Sequence, residues 1–157
     1  MSDLDQHPFW RLVRGEVPAP PGAQTLGFSV LEAEPDSGRA VIEFEAKPEF
    51  TNGLGNVQGG FVAAMIDYTI GPAQATTFGV GELGVTLELK VSFVRPAKLG
   101  RLIGTGMVVH RGKSIVFAEA ELRDAEDNLI ATATSTSRVI RPDAEQLWIA
   151  DQAQPAV

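Results

Sequence analysis

Alternation of apolar and polar side chains is clearest over residues 85–93, where a period of two runs for nine residues. Such a period predicts a β-strand, and Pro96 is expected to end it. Five further strand-like stretches are bounded by Gly, Pro, Asp or Asn, and the short turns between the last three predict antiparallel neighbours. The six predicted strands span residues 26–34, 39–46, 85–93, 101–111, 114–125 and 129–140.

One long segment has the opposite character, because residues 61–70, within a predicted helix from about residue 59 to about residue 75, are apolar on every helical face. This pattern predicts a buried helix, and Pro72 predicts a kink or an early end near Ile70 or Gly71. A helix buried on all sides needs apolar cover all round. The order of elements therefore predicts an α+β fold, in which one curved antiparallel sheet of five to six strands wraps around the helix.

With 157 residues and 44% hydrophobic content, the chain can bury one core and is too short for two ordinary domains. Residues 1–22 are predicted to form an N-terminal arm with a short helix at 5–14. The proline-rich run 18–22 is expected to be neither helix nor central strand. Residues 23–142 form the predicted domain, and 143–157 a C-terminal tail.

Composition excludes several classes of protein. A net charge of −7 argues against nucleic-acid binding, and no apolar run is long enough to predict a membrane span. The absence of cysteine excludes thiol catalysis. It also fits a cytoplasmic location, as does an N-terminus without a signal-peptide pattern. With only two histidines, we expect no metal site, and no motif indicates a cofactor.

Asp67 is the only charged residue between Phe50 and Gly81. An ionised carboxylate in an apolar helix is costly unless it is paired or hydrogen-bonded. Proteins tolerate that cost mostly where chemistry requires it. Asp67 is therefore the candidate catalytic carboxylate, and the alternative is a structural aspartate satisfied by backbone donors.

Several amide donors lie at the predicted start of the helix that carries Asp67. Gly59 and Gly60 would present backbone N–H groups without helical partners, and such a terminus can stabilise an oxyanion. Gln58 and Asn52 add side-chain amides. An ordinary glycine-rich loop entering a helix is the alternative interpretation.

Gly59 and Asp67 are eight residues apart, which is about 12 Å along one helix. One carbonyl group cannot contact both. If both act on the same atom, the carboxylate must come from another copy of the chain. The spacing therefore predicts a two-fold dimer with composite sites.

The stretch from residue 89 to residue 118 contains six basic residues and no acidic one. One interpretation of this basic stretch is that its charged residues lie at solvated strand ends and turns. The functional interpretation is that they form a site for a small anionic ligand such as a phosphate. The six residues are Lys90, Arg95, Lys98, Arg101, Arg111 and Lys113.

An ordered set of short motifs resembles the hot-dog-fold acyl-CoA thioesterases of the phenylacetic-acid-pathway type. The resemblance covers residues 26–140, and its one departure is Gln58, where that family usually has histidine. Its motifs are TNGLGNVQGGF at 51–61, AMID at 64–67, GVT at 84–86, VSFVRPAKLG at 91–100 and RGK at 111–113.

The resemblance implies hydrolysis of an acyl- or aroyl-coenzyme A in a homodimer, or a dimer of dimers. Gly59 would polarise the thioester carbonyl, and Asp67 of the partner would attack it or activate a water. Asn52 would hold the water or the carbonyl, and Thr86 would assist the carboxylate. Gln58 keeps a donor but cannot titrate. The substrate-binding residues implied are Gly60, Arg95, Lys98, Arg111, Gly112, Lys113 and Ser114.

Two other functions remain open on the same residues. A non-catalytic acyl-CoA binding or sensor protein would use the same pocket without turnover. An enoyl-thioester hydratase or dehydratase generally needs an acid–base pair such as Asp with His, and no histidine follows Asp67 before His110. An apolar or aromatic acyl tail is suggested by residues that could equally be ordinary core: Phe61, Met65, Tyr68 and Phe78.

Overall fold

A computed structural model describes residues 6–143, and the tail predicted at 143–157 lies outside this range apart from its first residue. Within it, one long helix packs against a six-stranded antiparallel sheet of order β1-β2-β4-β5-β6-β3, which confirms the predicted fold class. The helices are α1 Pro8–Val13, α2 Pro21–Thr25 and α3 Gly59–Ala75. The strands are β1 Ser29–Ala33, β2 Arg39–Ala46, β3 Leu83–Phe93, β4 Gly100–Arg111, β5 Ile115–Asp124 and β6 Leu129–Ile140.

The start of the chain differs from the prediction in one respect. Pro21 begins α2, so the expectation that residues 18–22 exclude a helix is wrong. Proline suits the first helical position, because the N–H group there has no helical partner. After α2, Gly27 adopts a φ of 67° and turns the chain into β1, which is therefore shorter than the predicted strand.

Helix α3 buries only one of its faces on the sheet. The expectation of a helix buried on every side is wrong for a single chain, because one sheet covers one side. Large side chains of the core are Ile42, Phe44, Met65, Ile66, Leu102 and Leu122. The opposite face of α3 is half-buried or exposed and consists of Gly60, Ala63, Ala64, Asp67, Tyr68 and Gly71.

Pro72 lies inside α3 without ending it, so the early end predicted near Ile70 or Gly71 is wrong. The last turn is buried, and tertiary packing of this kind overrides a poor local propensity. Gln74 adds a hydrogen bond of 2.9 Å from its Nε2 to Ser137 Oγ on β6.

Two glycines of β4 allow α3 to lie close to the sheet. A Cβ atom at Gly106 would lie 2.7 Å from the carbonyl oxygen of Thr69, and one at Gly104 would collide with the Thr69 side chain. Thr69 itself donates from Oγ1 to the carbonyl oxygen of Met65 at 2.8 Å. The glycine pair therefore sets the depth of α3 over the sheet.

The arm before β1 is anchored by α1. His7 caps this helix, and its Nδ1 accepts a hydrogen bond from the N–H of Phe9 at 3.2 Å. His7 Nε2 donates to the carbonyl oxygen of Glu82 at 2.9 Å, and Trp10 is 7% exposed. None of the helices between residues 6 and 143 is long and apolar enough to cross a bilayer.

Candidate active site

Asp67, at the middle of α3, meets Thr86. Thr86 lies on β3, and its Oγ1 donates to Asp67 Oδ1 at 2.9 Å. The carboxylate is half-buried rather than buried, because it projects from the face of α3 that the sheet does not cover. The hydroxyl fixes one carboxylate oxygen and leaves Oδ2 to face a ligand.

Gly59 is the first residue of α3, about two turns before Asp67. Gln58 caps the helix without a side-chain hydrogen bond, and the Gly59 N–H makes no hydrogen bond among residues 6–143. The ring of Phe93 lies against this glycine, where an added Cβ would be 3.3 Å from Phe93 Cζ. This terminus can therefore donate to a carbonyl oxygen.

Asn52 shapes the loop before α3. Its Oδ1 accepts from the N–H of Leu54 at 2.9 Å and from the N–H of Asn56 at 3.2 Å. Lys98 donates from Nζ to Asn56 Oδ1 at 2.8 Å, so this lysine lies beside the same loop. Because the acceptor oxygen of Asn52 holds the loop, its Nδ2 is the group that can donate to a ligand.

The predicted catalytic residues therefore form two separate groups in one chain. The carboxylate group consists of Asp67 and Thr86. The donor group consists of Asn52, Gln58 and Gly59, with Gly60 next to it. The donor group lies at the start of α3 and the carboxylate group at its middle, about 12 Å apart along the helix axis.

The predicted basic residues likewise divide between the two ends of the sheet. Arg95 and Lys98 lie near the donor group, and Arg95 donates from Nη1 to the carbonyl oxygen of Leu129 at 3.0 Å. The β4–β5 turn at 111–114 lies at the other end, because Arg111 pairs with Val116 and the following strands carry this register on to Thr86. Three strand spacings separate Arg111 from Thr86, or roughly 14 Å.

Arg111 is already engaged with an interior carboxylate. Its Nη2 donates to Glu82 Oε2 at 2.8 Å, and its guanidinium lies 5.3 Å from the ring centre of Phe78. Arg141 also pairs with Glu82. Within the turn 111–114, Lys113 and Ser114 are the exposed residues.

The pKa of Glu82 reflects these contacts. Burial alone would raise it, but hydrogen bonds from the Gly79 N–H and Arg111, and the charges of Arg111 and Arg141, outweigh burial and lower it. Sequence reasoning missed this cluster, because Glu82 is 29 residues from Arg111 and 59 from Arg141. No local pattern marks such a contact.

An apolar cavity of about 410 Å³ opens beside Asp67 and Thr86. Tyr68 and Phe78 line it as predicted. Of the other two residues suggested for a tail pocket, Met65 is fully buried in the core and Phe61 stacks on Phe50 at 4.2 Å. Much of the wall comes instead from the N-terminal arm, which sequence reasoning did not connect with the site.

The six-stranded antiparallel sheet packed on one long helix is a fold found among known families. Residues 54–131 match the model of the Thioesterase superfamily. A candidate esterase of Saccharolobus solfataricus is similar over 116 residues at 35% identity, which covers 74% of this chain and 81% of that protein. The chain therefore belongs to the Thioesterase superfamily and is a thioester hydrolase, and the resemblance seen in the sequence is confirmed.

Two further proteins show the same likeness. Human acyl-coenzyme A thioesterase 13 is 30% identical over 114 residues, covering 71% of this chain and 79% of that protein. A crystal structure from Ralstonia eutropha JMP134, of a phenylacetic acid degradation-related protein assigned as a thioesterase, is 35% identical. It covers 83% of this chain and 98% of its own, with a TM-score of 0.79. The likeness confirms the hot-dog fold.

Proposed function

We propose that the protein hydrolyses an acyl- or aroyl-coenzyme A to the free acid and coenzyme A, at sites shared by two subunits. The observation that carries the proposal is the placement of a hydroxyl-bound carboxylate at the middle of one helix and of a backbone donor, without a partner among the described residues, at the start of the same helix. Hydrolysis of a thioester by these groups would need both of them at one carbonyl. The named activity of the human relative supports coenzyme A as the leaving group.

The free edge of the sheet supports the shared site. Strand β3 ends the sheet, and among the described strands it pairs with β6 alone. Val85 is 44% exposed and Leu87 59% exposed along this edge. A long apolar edge strand readily pairs with another chain, and a two-fold axis allows β3 to pair with its own copy.

One register of that pairing would complete the site. Antiparallel pairing centred between residues 89 and 90 would place Thr86 opposite Phe93 of the partner subunit. Thr86 contacts Asp67, and the ring of Phe93 lies against Gly59. This register would therefore bring the carboxylate of one subunit toward the donor of the other.

The chemistry requires these groups in defined roles. The Gly59 N–H would donate to the thioester oxygen and stabilise the negative charge that develops on it. Asp67 Oδ2 would attack the carbonyl carbon, the C–S bond would break to release coenzyme A thiolate, and water would hydrolyse the resulting anhydride. In the alternative route, Asp67 would accept a proton from the water that attacks the same carbon. Thr86 would hold the carboxylate in position in both routes.

The phosphates of coenzyme A would lie on exposed basic groups around the shared site. Dimerisation would bring Lys98 and Arg95 of one subunit to the side of the site that carries Lys113 and Ser114 of the other. Arg111, which is paired with Glu82, would shape this surface together with Gly112 more than bind phosphate directly.

Thiol release from acyl-coenzyme A substrates, with Asp67→Asn and Asp67→Ala, tests the proposal. We expect kcat/KM to fall by about 10²–10⁴-fold in both variants, because each removes the group that attacks or takes the proton. Circular dichroism and thermal melting are the folding controls. Turnover that survives Asp67→Ala would contradict the assigned role. Binding of coenzyme A thioesters without any turnover by the wild-type protein would identify a sensor.

A further inference from the structure

We propose that the N-terminal arm forms the binding pocket for the acyl tail and selects apolar acyl groups of intermediate size. The inference rests on the proposed function and goes further, because it names the substrate class. Its basis is the 410 Å³ cavity that begins at Asp67 and Thr86. Only part of that cavity belongs to the segment that matches the thioesterase family, residues 54–131.

The arm supplies the outer wall of this cavity. The wall residues from α1 and the following chain are His7, Pro8, Phe9, Leu12, Val17 and Pro18. Apart from His7, these side chains are apolar, and His7 uses both ring nitrogens within the protein. Tyr68 and Gly71 of α3 form the opposite wall. The cavity therefore offers mainly apolar contact to a ligand, and apart from Asp67, Thr86 and His7 its polar side chains are Tyr68 and Gln74.

The arm is held in place strongly enough to act as a wall. Phe9 packs on a buried cluster that joins the end of α3 to β5 and β6 through Ala75, Phe78, Val116 and Val139. Trp10 and Ala23 are buried, and His7 binds the backbone at Glu82. A wall anchored at three separate points does not need a ligand to form.

Position and size identify the occupant. A thioester carbonyl placed at Asp67 Oδ2 has two substituents, the charged coenzyme A and the acyl tail. The tail is the one that matches an apolar cavity. A volume of 410 Å³ lies at the low end of the range of about 300–1,000 Å³ for small-molecule pockets. An acetyl group would leave most of this space empty, and a palmitoyl chain would need all of it.

Filling the cavity from the arm tests the inference. Leu12 lines the cavity, whereas its neighbour Val13 is 40% exposed and does not line it. Leu12→Trp and the matched control Val13→Trp are assayed with acetyl-, octanoyl-, benzoyl- and palmitoyl-coenzyme A. For the wild type we expect octanoyl- or benzoyl-coenzyme A to exceed both acetyl- and palmitoyl-coenzyme A in kcat/KM by about tenfold or more.

In Leu12→Trp we expect the preference for octanoyl- over acetyl-coenzyme A to fall by about tenfold or more, with acetyl-coenzyme A turnover retained. Leu12→Ala should shift the preference toward longer chains, and Val13→Trp should leave the profile unchanged. A profile that is the same in Leu12→Trp and the wild type, while the wild type is active, overturns this inference alone.

Binding of octanoyl-coenzyme A to the Asp67→Asn protein, measured by calorimetry, separates this inference from the proposed function. If no thioester is hydrolysed by the wild type, the proposed function fails. The inference of an acyl pocket at the arm is still supported if Leu12→Trp, added to the Asp67→Asn protein, weakens this binding about tenfold or more and Val13→Trp, added in the same way, does not. Equal binding by the Asp67→Asn protein and its two double variants overturns the inference, whatever the turnover of the wild type.

Discussion

The amide hydrogen of Gly59 can be removed by a substitution to proline without disturbing the helix. Gly59 is the first residue of α3, and the preceding Gln58 has φ −59° and ψ 136°. These are angles that a residue before proline adopts, and proline itself is favoured at a first helical position. The backbone donor can therefore be deleted by a substitution that the local structure accepts.

We expect Gly59→Pro to lower kcat by about 10²–10³-fold, because it deletes the donor to the developing oxyanion. Gly59→Ala is the matched control. It keeps the N–H and introduces the same Cβ contact with Phe93 at 3.3 Å. Steady-state kinetics with one acyl-coenzyme A substrate compares the two. Similar losses in both variants would show that the contact with Phe93, rather than the donor, determines the effect.

Sequence reasoning found residues that are locally unusual and missed those that depend on distant contacts. Asp67 was visible because it is the only charge in a long neutral segment. Thr86 followed only from the family resemblance, and the structure brings it to Asp67. Glu82 is not unusual in its local sequence, because its partners are Arg111 in β4 and Arg141 just after β6. Contacts of this kind are set by strand pairing and not by local pattern.

Among the elements, the docked arm depends on a neutral histidine. The hydrogen bonds of His7 require a proton on Nε2 and a free lone pair on Nδ1. Burial lowers the pKa of His7, and the Glu82 carbonyl and carboxylate offset this only in part. Protonation of Nδ1 would replace the acceptor that caps α1 with a donor that faces the N–H of Phe9.

Docking of the arm should weaken on acidification. The free arm, with a histidine pKa of about 6.5, binds a proton more readily than the docked arm. The stability of docking is therefore complete above about pH 6.5 and falls below it, by at most about 1.4 kcal/mol per pH unit. Fluorescence of Trp10 in a Trp148→Phe background measures the release, since the chain has two tryptophans.

His7→Asn is the control for this prediction, because asparagine caps helices well and does not titrate near neutral pH. We expect the fluorescence of Trp10 in this variant to change by no more than the baseline noise between about pH 7 and about pH 5. A wild-type signal that is equally constant would show that His7 does not govern docking of the arm.

Element types were predictable from the sequence, whereas their arrangement was only partly so. Period-two alternation located β3, turn residues on either side of strand-like stretches located the other strands to within a few residues, and the apolar segment located α3. Helix α2 was missed because Pro21 was taken as a helix breaker, although proline is accepted at the first helical position. The position of the arm over the cavity has no periodic signal at all.

At the scale of the whole molecule, the start and the middle of α3 would carry complementary halves of the proposed site. Each subunit of the proposed dimer would give its carboxylate to one site and its donor to the other. Two variants that are inactive for different reasons should therefore complement each other. The further assembly of two dimers stays a prediction.

Mixing Asp67→Ala with Gly59→Pro after subunit exchange tests the shared site. A mixed dimer would contain one intact site and one site with both defects. With random association, half of the dimers are mixed, so we expect about one quarter of wild-type activity. Each variant alone should stay near background at the same total concentration. A mixture no more active than its components would show that each site is built from a single chain, provided that exchange is verified by native mass spectrometry.

The glycine pair of β4 has a consequence for variants far from the cleaved bond. Thr69 lies one residue beyond Tyr68 and rests on the strand where Gly104 and Gly106 have no side chains. A methyl group at either glycine would push α3 outward and move Asp67 away from its hydrogen-bond partner Thr86 on β3. A substitution at either glycine would therefore abolish hydrolysis, although every reacting group would remain chemically unchanged.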